Sequence, residues 1–168
     1  TQMSKSLHSS NLKSLLDTYL HEMTLIIERY EGTIDKIMGD GILALFNNTF
    51  APEEHAKNAV EAALDMQTAS GVLRREWQKL SGSMNLQVRI GVASGEVVLS
   101  DSKASSRQKG TALGNVVNLA SRLQEKAIPG SILVSQSTYL HIAREFPCRH
   151  VADLELKGYA DAYSAYEV

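Results

Sequence analysis

An aspartate between two glycines, a lysine inside an apolar run, an arginine inside another, and an asparagine four residues before an arginine have the most chemistry to offer in this sequence. In Gly32-Thr33-Ile34-Asp35-Lys36-Ile37-Met38-Gly39-Asp40-Gly41, Lys36 interrupts an apolar segment and Asp40 occupies a glycine-flanked turn. A carboxylate projecting from a strand end is a good ligand for a hard divalent cation. Asp-Gly is also an ordinary hairpin turn, and a lysine on an apolar face can extend its head to water. In Gln87-Val88-Arg89-Ile90-Gly91-Val92-Ala93-Ser94-Gly95-Glu96, the Arg89 guanidinium has the fork geometry that suits phosphate oxygens. An edge-strand arginine facing solvent fits that spacing equally well. In Thr111-Ala112-Leu113-Gly114-Asn115-Val116-Val117-Asn118-Leu119-Ala120-Ser121-Arg122-Leu123, Asn118 and Arg122 share one helix face. A neutral and a cationic donor side by side can hold a phosphoryl group as its charge shifts; a solvated helix face is the plain alternative.

The elements that must position these residues follow from hydrophobic periodicity. Leu12, Leu15, Leu16, Tyr19, Leu20, Met23, Ile26 and Ile27 recur at steps of three and four, which predicts an amphipathic helix from Ser10 to Tyr30, capped by Ser9 or Ser10 and ended at Glu31-Gly32. Thr33–Met38 and Ile42–Phe46, separated by Gly39-Asp40-Gly41, read as a hairpin with Asp40 at its tip. A second helix opens at Ala51-Pro52-Glu53-Glu54, with proline in the first turn and carboxylates near the positive dipole end, and runs toward Trp77. Leu86–Val92 and Glu96–Leu99 read as strands, and the polar stretch Asp101–Gly110 as an exposed arm. A third helix is expected from Gly114 to Lys126, then a strand at Ile132–Val134, a helix at Gln136–Ala143, and strands at Val151–Leu156 and Tyr163–Val168. Strands interleaved with helices, without repeats or a dividing linker, predict an α/β (α+β) sandwich.

Composition narrows the function classes. The 168 residues are 43% hydrophobic and 21% charged, with a net charge of −2, as in an ordinary globular domain with no general pull toward nucleic acid. The longest apolar run, Ile42–Phe46, is far too short to cross a bilayer, and no signal-peptide pattern is visible. The lone Cys148 offers no internal disulfide and suits a reducing compartment. There is no GxxxxGK[ST] loop, HExxH helix, GxGxxG fingerprint, CxxC pair or GxSxG elbow, and the five histidines lack ligand spacing.

Taken in order, the segments Asp35-Lys36-Ile37-Met38-Gly39-Asp40, Arg89-Ile90-Gly91-Val92-Ala93-Ser94-Gly95 and Thr111 to Leu123 resemble the class III nucleotidyl cyclase catalytic domain, as do Leu156-Lys157-Gly158 and Tyr166-Glu167-Val168. The resemblance covers essentially all of Thr1–Val168 and implies one catalytic domain, 1–168, with a ferredoxin-like class III cyclase fold: a mostly antiparallel sheet with helices packed on it. It places the family's first strand, which carries the first metal aspartate, immediately before Thr1, so no residue of this sequence takes that role.

The resemblance further implies adenylate cyclase activity: in-line attack of the ribose 3′-hydroxyl of ATP on the α-phosphorus, giving 3′,5′-cyclic AMP and pyrophosphate, with two Mg2+ or Mn2+ ions per site. Asp40 matches the second metal aspartate, Lys36 and Thr111 the adenine-reading pair, Asn118 and Arg122 the transition-state pair, and Arg89 and Lys157 the triphosphate contacts. Lysine with threonine suits the adenine N1 acceptor and exocyclic amine. Sites shared in a head-to-tail homodimer follow, with Asp101–Gly110 where the family places a dimer-contacting arm. A signalling output domain is implied, cytoplasmic in its own right or as the cytoplasmic portion of a membrane-tethered protein, with regulatory domains elsewhere in the full-length protein. Gly110, where an aromatic is common, and Tyr159, where a second lysine is frequent, depart from the family pattern. Two alternatives stand beside this reading: a degenerate cyclase homology domain that dimerises or binds nucleotide without turnover, and a ferredoxin-like RNA-binding module.

Overall fold

The computed structural model describes residues 9–47, 54–81, 85–99, 112–154 and 162–168. Helix α1 (Ser9–Arg29) buries Tyr19, Met23, Ile26 and Ile27, the stripe its periodicity predicts. The hairpin that follows, β1 (Thr33–Met38) and β2 (Gly41–Leu45), is antiparallel, with Met38 opposite Gly41. Gly39 takes a φ of 65° at the first central position of the two-residue turn, a conformation open to glycine and costly for a side chain.

Helix α2 (His55–Ser81) buries two faces. Ala62, Leu73 and Trp77 meet Tyr19, Met23 and Ile26 of α1 together with Leu86. Ala56, Val60 and Ala63 meet Ile132 and Val134 of the sheet, and Ile142. Small residues on this helix let both neighbours approach closely, and alanine also costs it nothing in helix propensity.

The main sheet has the order β3-β6-β8-β7, from β3 (Ile90–Val92), β6 (Ile132–Ser135), β7 (Arg149–Leu154) and β8 (Tyr163–Glu167). The β3–β6 pair is parallel and the other two are antiparallel. Strand β6 is buried on both faces: Ile132 and Val134 face α2, while Leu133 packs with Leu119, Leu123 and Ala127 of or beside α3 (Asn115–Lys126). That is why it reads as a continuous apolar run rather than an alternating one. Helix α4 (Gln136–Ile142) starts directly after β6, its first turn capped by Ser135, whose hydroxyl accepts from the Thr138 amide.

Three expectations differ in detail, one being the strand Glu96–Leu99, of which only Val98–Leu99 is paired. Only Ile90–Val92 of the expected strand Leu86–Val92 joins a ladder, because its partner β6 begins at Ile132; before that point the Val88 carbonyl accepts from the Gly130 amide and from Gln67 Nε2 instead. A two-residue strand, β5 (Ala112–Leu113), pairs antiparallel with β4 (Val98–Leu99), and two residues are too few to show any period in sequence. The expected arm Asp101–Gly110 lies outside the described residues.

Candidate functional site

Lys36 owes its setting to an irregularity in β1. Ile34 pairs with Ala44 and Lys36 with Leu43, so Asp35 is an extra residue in the strand, a β-bulge. Bulges bend a strand and re-aim the side chains beside them. Asp35 and Lys36, which regular pleating would send to opposite faces, lie close enough for Lys36 Nζ to sit 3.7 Å from Asp35 Oδ2. The Asp35 side chain is 2% exposed, that of Lys36 39%. Asp35 Oδ1 accepts a 2.9 Å hydrogen bond from the backbone N–H of Ala112, so β1 is tied to the segment that leads into α3. Thr111 and Lys157 lie outside the described residues; Thr111 is the residue before Ala112 in the chain.

Helix α3 carries Asn118, exposed, and Arg122, half-buried, one turn apart. Arg122 Nη1 is held by the Glu125 carboxylate at 2.9 and 3.1 Å. Arg89, just before β3, is exposed and directs Nη1 at the Glu125 carbonyl, 3.4 Å away. The two arginines therefore both reach toward Glu125 at the end of α3. The helix lies hard against β3 because of Gly91, where a Cβ would stand 2.2 Å from the Ala120 carbonyl oxygen and 2.5 Å from the Gln124 nitrogen.

Asp40 is exposed at the hairpin tip. Its charge reaches α1: the Tyr19 phenol is pushed up to about 12, first by burial and second by Asp40. Among the described residues there is no cluster of three or more His, Cys, Asp or Glu that could hold a metal ion. Mg2+ is commonly held by one or two carboxylates, substrate phosphates and water, and an exposed carboxylate on a tight turn fits one position in such a shell.

The structure thus ties Asp35, the neighbour of Lys36, to the start of the α3 segment and places Asn118, Arg122 and Arg89 along and beside α3. Sequence reasoning assigned no role to Asp35 or Glu125. Asp35 left a trace in the sequence, since two adjacent polar residues in an otherwise apolar strand break its alternation and point to a bulge. Glu125 left none beyond its i,i+3 spacing from Arg122.

Comparison with known proteins bears on the fold and the class of the site. The family model described as the adenylate and guanylate cyclase catalytic domain matches residues 1–167. Adenylate cyclase 1 of Rhizobium meliloti is 27% identical over 170 residues, covering 100% of this chain and 25% of that protein. The crystal structure of the adenylyl cyclase CyaB from P. aeruginosa superposes with a TM-score of 0.92 at 32% identity, over 99% of this chain and 86% of that one. The crystal structure of the guanylyl cyclase Cya2 gives 0.86 at 29% identity, over 99% and 84%. The chain belongs to the adenylate/guanylate cyclase catalytic domain family and has the α+β class III cyclase fold. It spans about a quarter of the length of the Rhizobium meliloti relative. Among the described residues, no helix is long and apolar enough to cross a membrane.

Proposed function

We propose that the chain is an adenylate cyclase domain that converts ATP to 3′,5′-cyclic AMP and pyrophosphate. The observation that carries the choice of ATP is Lys36, a half-exposed ammonium beside the tie to Ala112. A lysine there donates to the unprotonated N1 of adenine, while the N1–H of guanine would meet it donor to donor. Similarity to both an adenylyl and a guanylyl cyclase leaves the base to be chosen by such residues.

In this reading the ribose 3′-oxygen forms a bond to the α-phosphorus as the bond to pyrophosphate breaks, and the hydroxyl proton passes to solvent. Asn118 orients the ribose, and Arg122 exchanges the Glu125 carboxylate for the α-phosphate as charge develops there. Arg89 and Lys157 bind the triphosphate. Asp40 would hold Mg2+ or Mn2+ with the phosphates, and the ions would neutralise charge at the reacting phosphate.

We place the site between two copies of the chain. Asp40 and Arg89 would come from one copy, and Lys36, Thr111, Asn118, Arg122 and Lys157 from the other, giving two equivalent sites in a symmetric pair. Val98, Leu99 and Leu113 on β4 and β5 are 68, 54 and 55% exposed, apolar surface that a second copy would cover.

The test is product formation from ATP and GTP with Mg2+ or Mn2+ across protein concentrations. Cyclic AMP rising more than linearly with protein is expected, and cyclic GMP as the main product would overturn the reading of Lys36. Mixing Asp40→Ala with Arg122→Ala should restore part of the activity that each lacks alone. No recovery would place the site within one copy, and no product from the unaltered protein would favour a degenerate cyclase homology domain.

A further inference from the structure

We infer that Asp35 is a positioning residue for base selection, holding Lys36 and the Ala112 segment in one arrangement; this rests on the reading of Lys36 as the base-contacting residue. Asp35 is the extra residue of the β1 bulge, and its carboxylate is almost fully buried. A buried carboxylate is costly unless its oxygens are engaged. Here the two oxygens have different tasks. Oδ1 is closed by the Ala112 amide at 2.9 Å. Oδ2 is buried without a hydrogen-bond partner among the described residues, and the cation facing it is Lys36 Nζ at 3.7 Å, an ion-pair distance longer than a hydrogen bond.

Asp35 fixes the backbone on one side through Oδ1 and faces, on the other, the partly exposed Lys36 side chain through Oδ2. The carboxylate therefore restricts the directions in which the Lys36 ammonium can point, on the side of β1 that is tied to Ala112. Without it, Lys36 would sample more rotamers, and the Ala112 segment would lose the bond that sets its distance from β1. Both losses act on recognition of the base more than on the phosphate chemistry at Asn118 and Arg122.

The experiment uses the full chain, as Asp35→Ala and Asp35→Asn beside Lys36→Ala. It measures kcat and KM for ATP and GTP, the melting temperature, and amide hydrogen exchange at Ala112. Asp35→Ala should accelerate Ala112 exchange about tenfold or more and lower the ATP-over-GTP preference in kcat/KM by a similar factor, mainly through KM for ATP. Asp35→Asn keeps an acceptor for Ala112 but no charge for Lys36, so exchange should stay slow while the preference falls. If Asp35→Ala does not fold, Asp35→Asn carries the test. Unchanged preference in the Asp35 variants beside a lowered one in Lys36→Ala would overturn the role of Asp35 alone. Unchanged preference in Lys36→Ala would overturn the base reading and the specificity role of Asp35 with it. Ala112 exchange unaltered in a folded Asp35→Ala would overturn the backbone tie.

Discussion

Replacing Gly91 by alanine should damage the site without touching any residue assigned to chemistry. A Cβ at this position would stand 2.2 Å from the Ala120 carbonyl oxygen, 2.5 Å from the Gln124 nitrogen and 3.1 Å from Gln124 Cα. These are backbone atoms of α3 on either side of Arg122, so no change of rotamer relieves the overlap. Ordinary contact begins at 3.4 Å, so in Gly91→Ala the helix must retreat from β3 by about 1.2 Å, or β3 must leave its register with β6. Overpacking of this kind costs about 1–3 kcal/mol, and it loosens Leu119 and Leu123 from Leu133 and Ala165. For a chain of this size, that lowers the melting temperature by roughly 2–12 °C. Asn118 and Arg122, which the proposed function assigns to the transition state, ride on the displaced helix, and a shift of about 1 Å in such groups costs on the order of 10²-fold in rate. The loss should fall mainly on kcat, because Asn118 and Arg122 move with the helix, with a smaller rise in KM because Arg89 rests on the Glu125 carbonyl of that helix. Thermal melts and steady-state kinetics on the same preparation decide it. A Gly91→Ala protein melting within about 1 °C of the parent and keeping kcat within about twofold would refute both the packing argument and the claim that β3 sets the position of α3.

Arg122→Ala should lower kcat by about 10²–10³ with little change in melting temperature, because its pair with Glu125 is partly exposed and worth little to stability. Tyr19→Phe should alter the alkaline limb of stability. The folded phenol ionises near 12 and the unfolded one near 10.0, so the tyrosine's contribution is intact below pH 10 and lost as pH rises from 10 to 12. Chemical denaturation across that range should show the phenylalanine variant losing about 2 kcal/mol less than the parent. Thr138→Val should cost about 1–3 kcal/mol in the same assay, because the fully buried Thr138 hydroxyl lies 3.0 Å from Ser94 Oγ and 2.9 Å from Ser135 Oγ, and valine leaves both short of a partner.

Much of this fold is legible in the sequence because its elements bury one clean face or two. The α1 stripe, the hairpin with its Gly39 turn, and the run Ile132–Val134 each carry a periodicity that matches their burial. What could not be read depends on partners distant in sequence. β3 is shorter than its apolar run because β6 starts late, and the two residues of β5 are a strand only because β4 lies opposite. At the site, Asn118 and Arg122 were legible as a helix face, and Lys36 and Asp40 as polar exceptions in an apolar hairpin. The joining of the Lys36 strand to the α3 segment through Asp35 was not, since it crosses 77 residues of chain.

The places where this sequence breaks a local rule are those where the site is assembled. Asp35 and Lys36 together interrupt the alternation of β1, and the interruption is a bulge from which Asp35 reaches Ala112 with Lys36 beside it. Gly91 forgoes a side chain inside a strand, a weak choice for a strand alone, and the vacated space admits the α3 backbone. Arg122 sits between Leu119 and Leu123 on a helix whose other face is buried, and Glu125 holds its charge one turn on. Each exception costs stability where it stands and is compensated by a specific contact: Asp35 to β5, Gly91 to α3, and Arg122 to Glu125 within its own helix. A sequence optimised only to fold would have had no reason to incur these costs. These exceptions fall on β1, β3 and α3, the elements that carry or adjoin Lys36, Arg89, Asn118 and Arg122, which fits the proposal that those residues serve the same reaction.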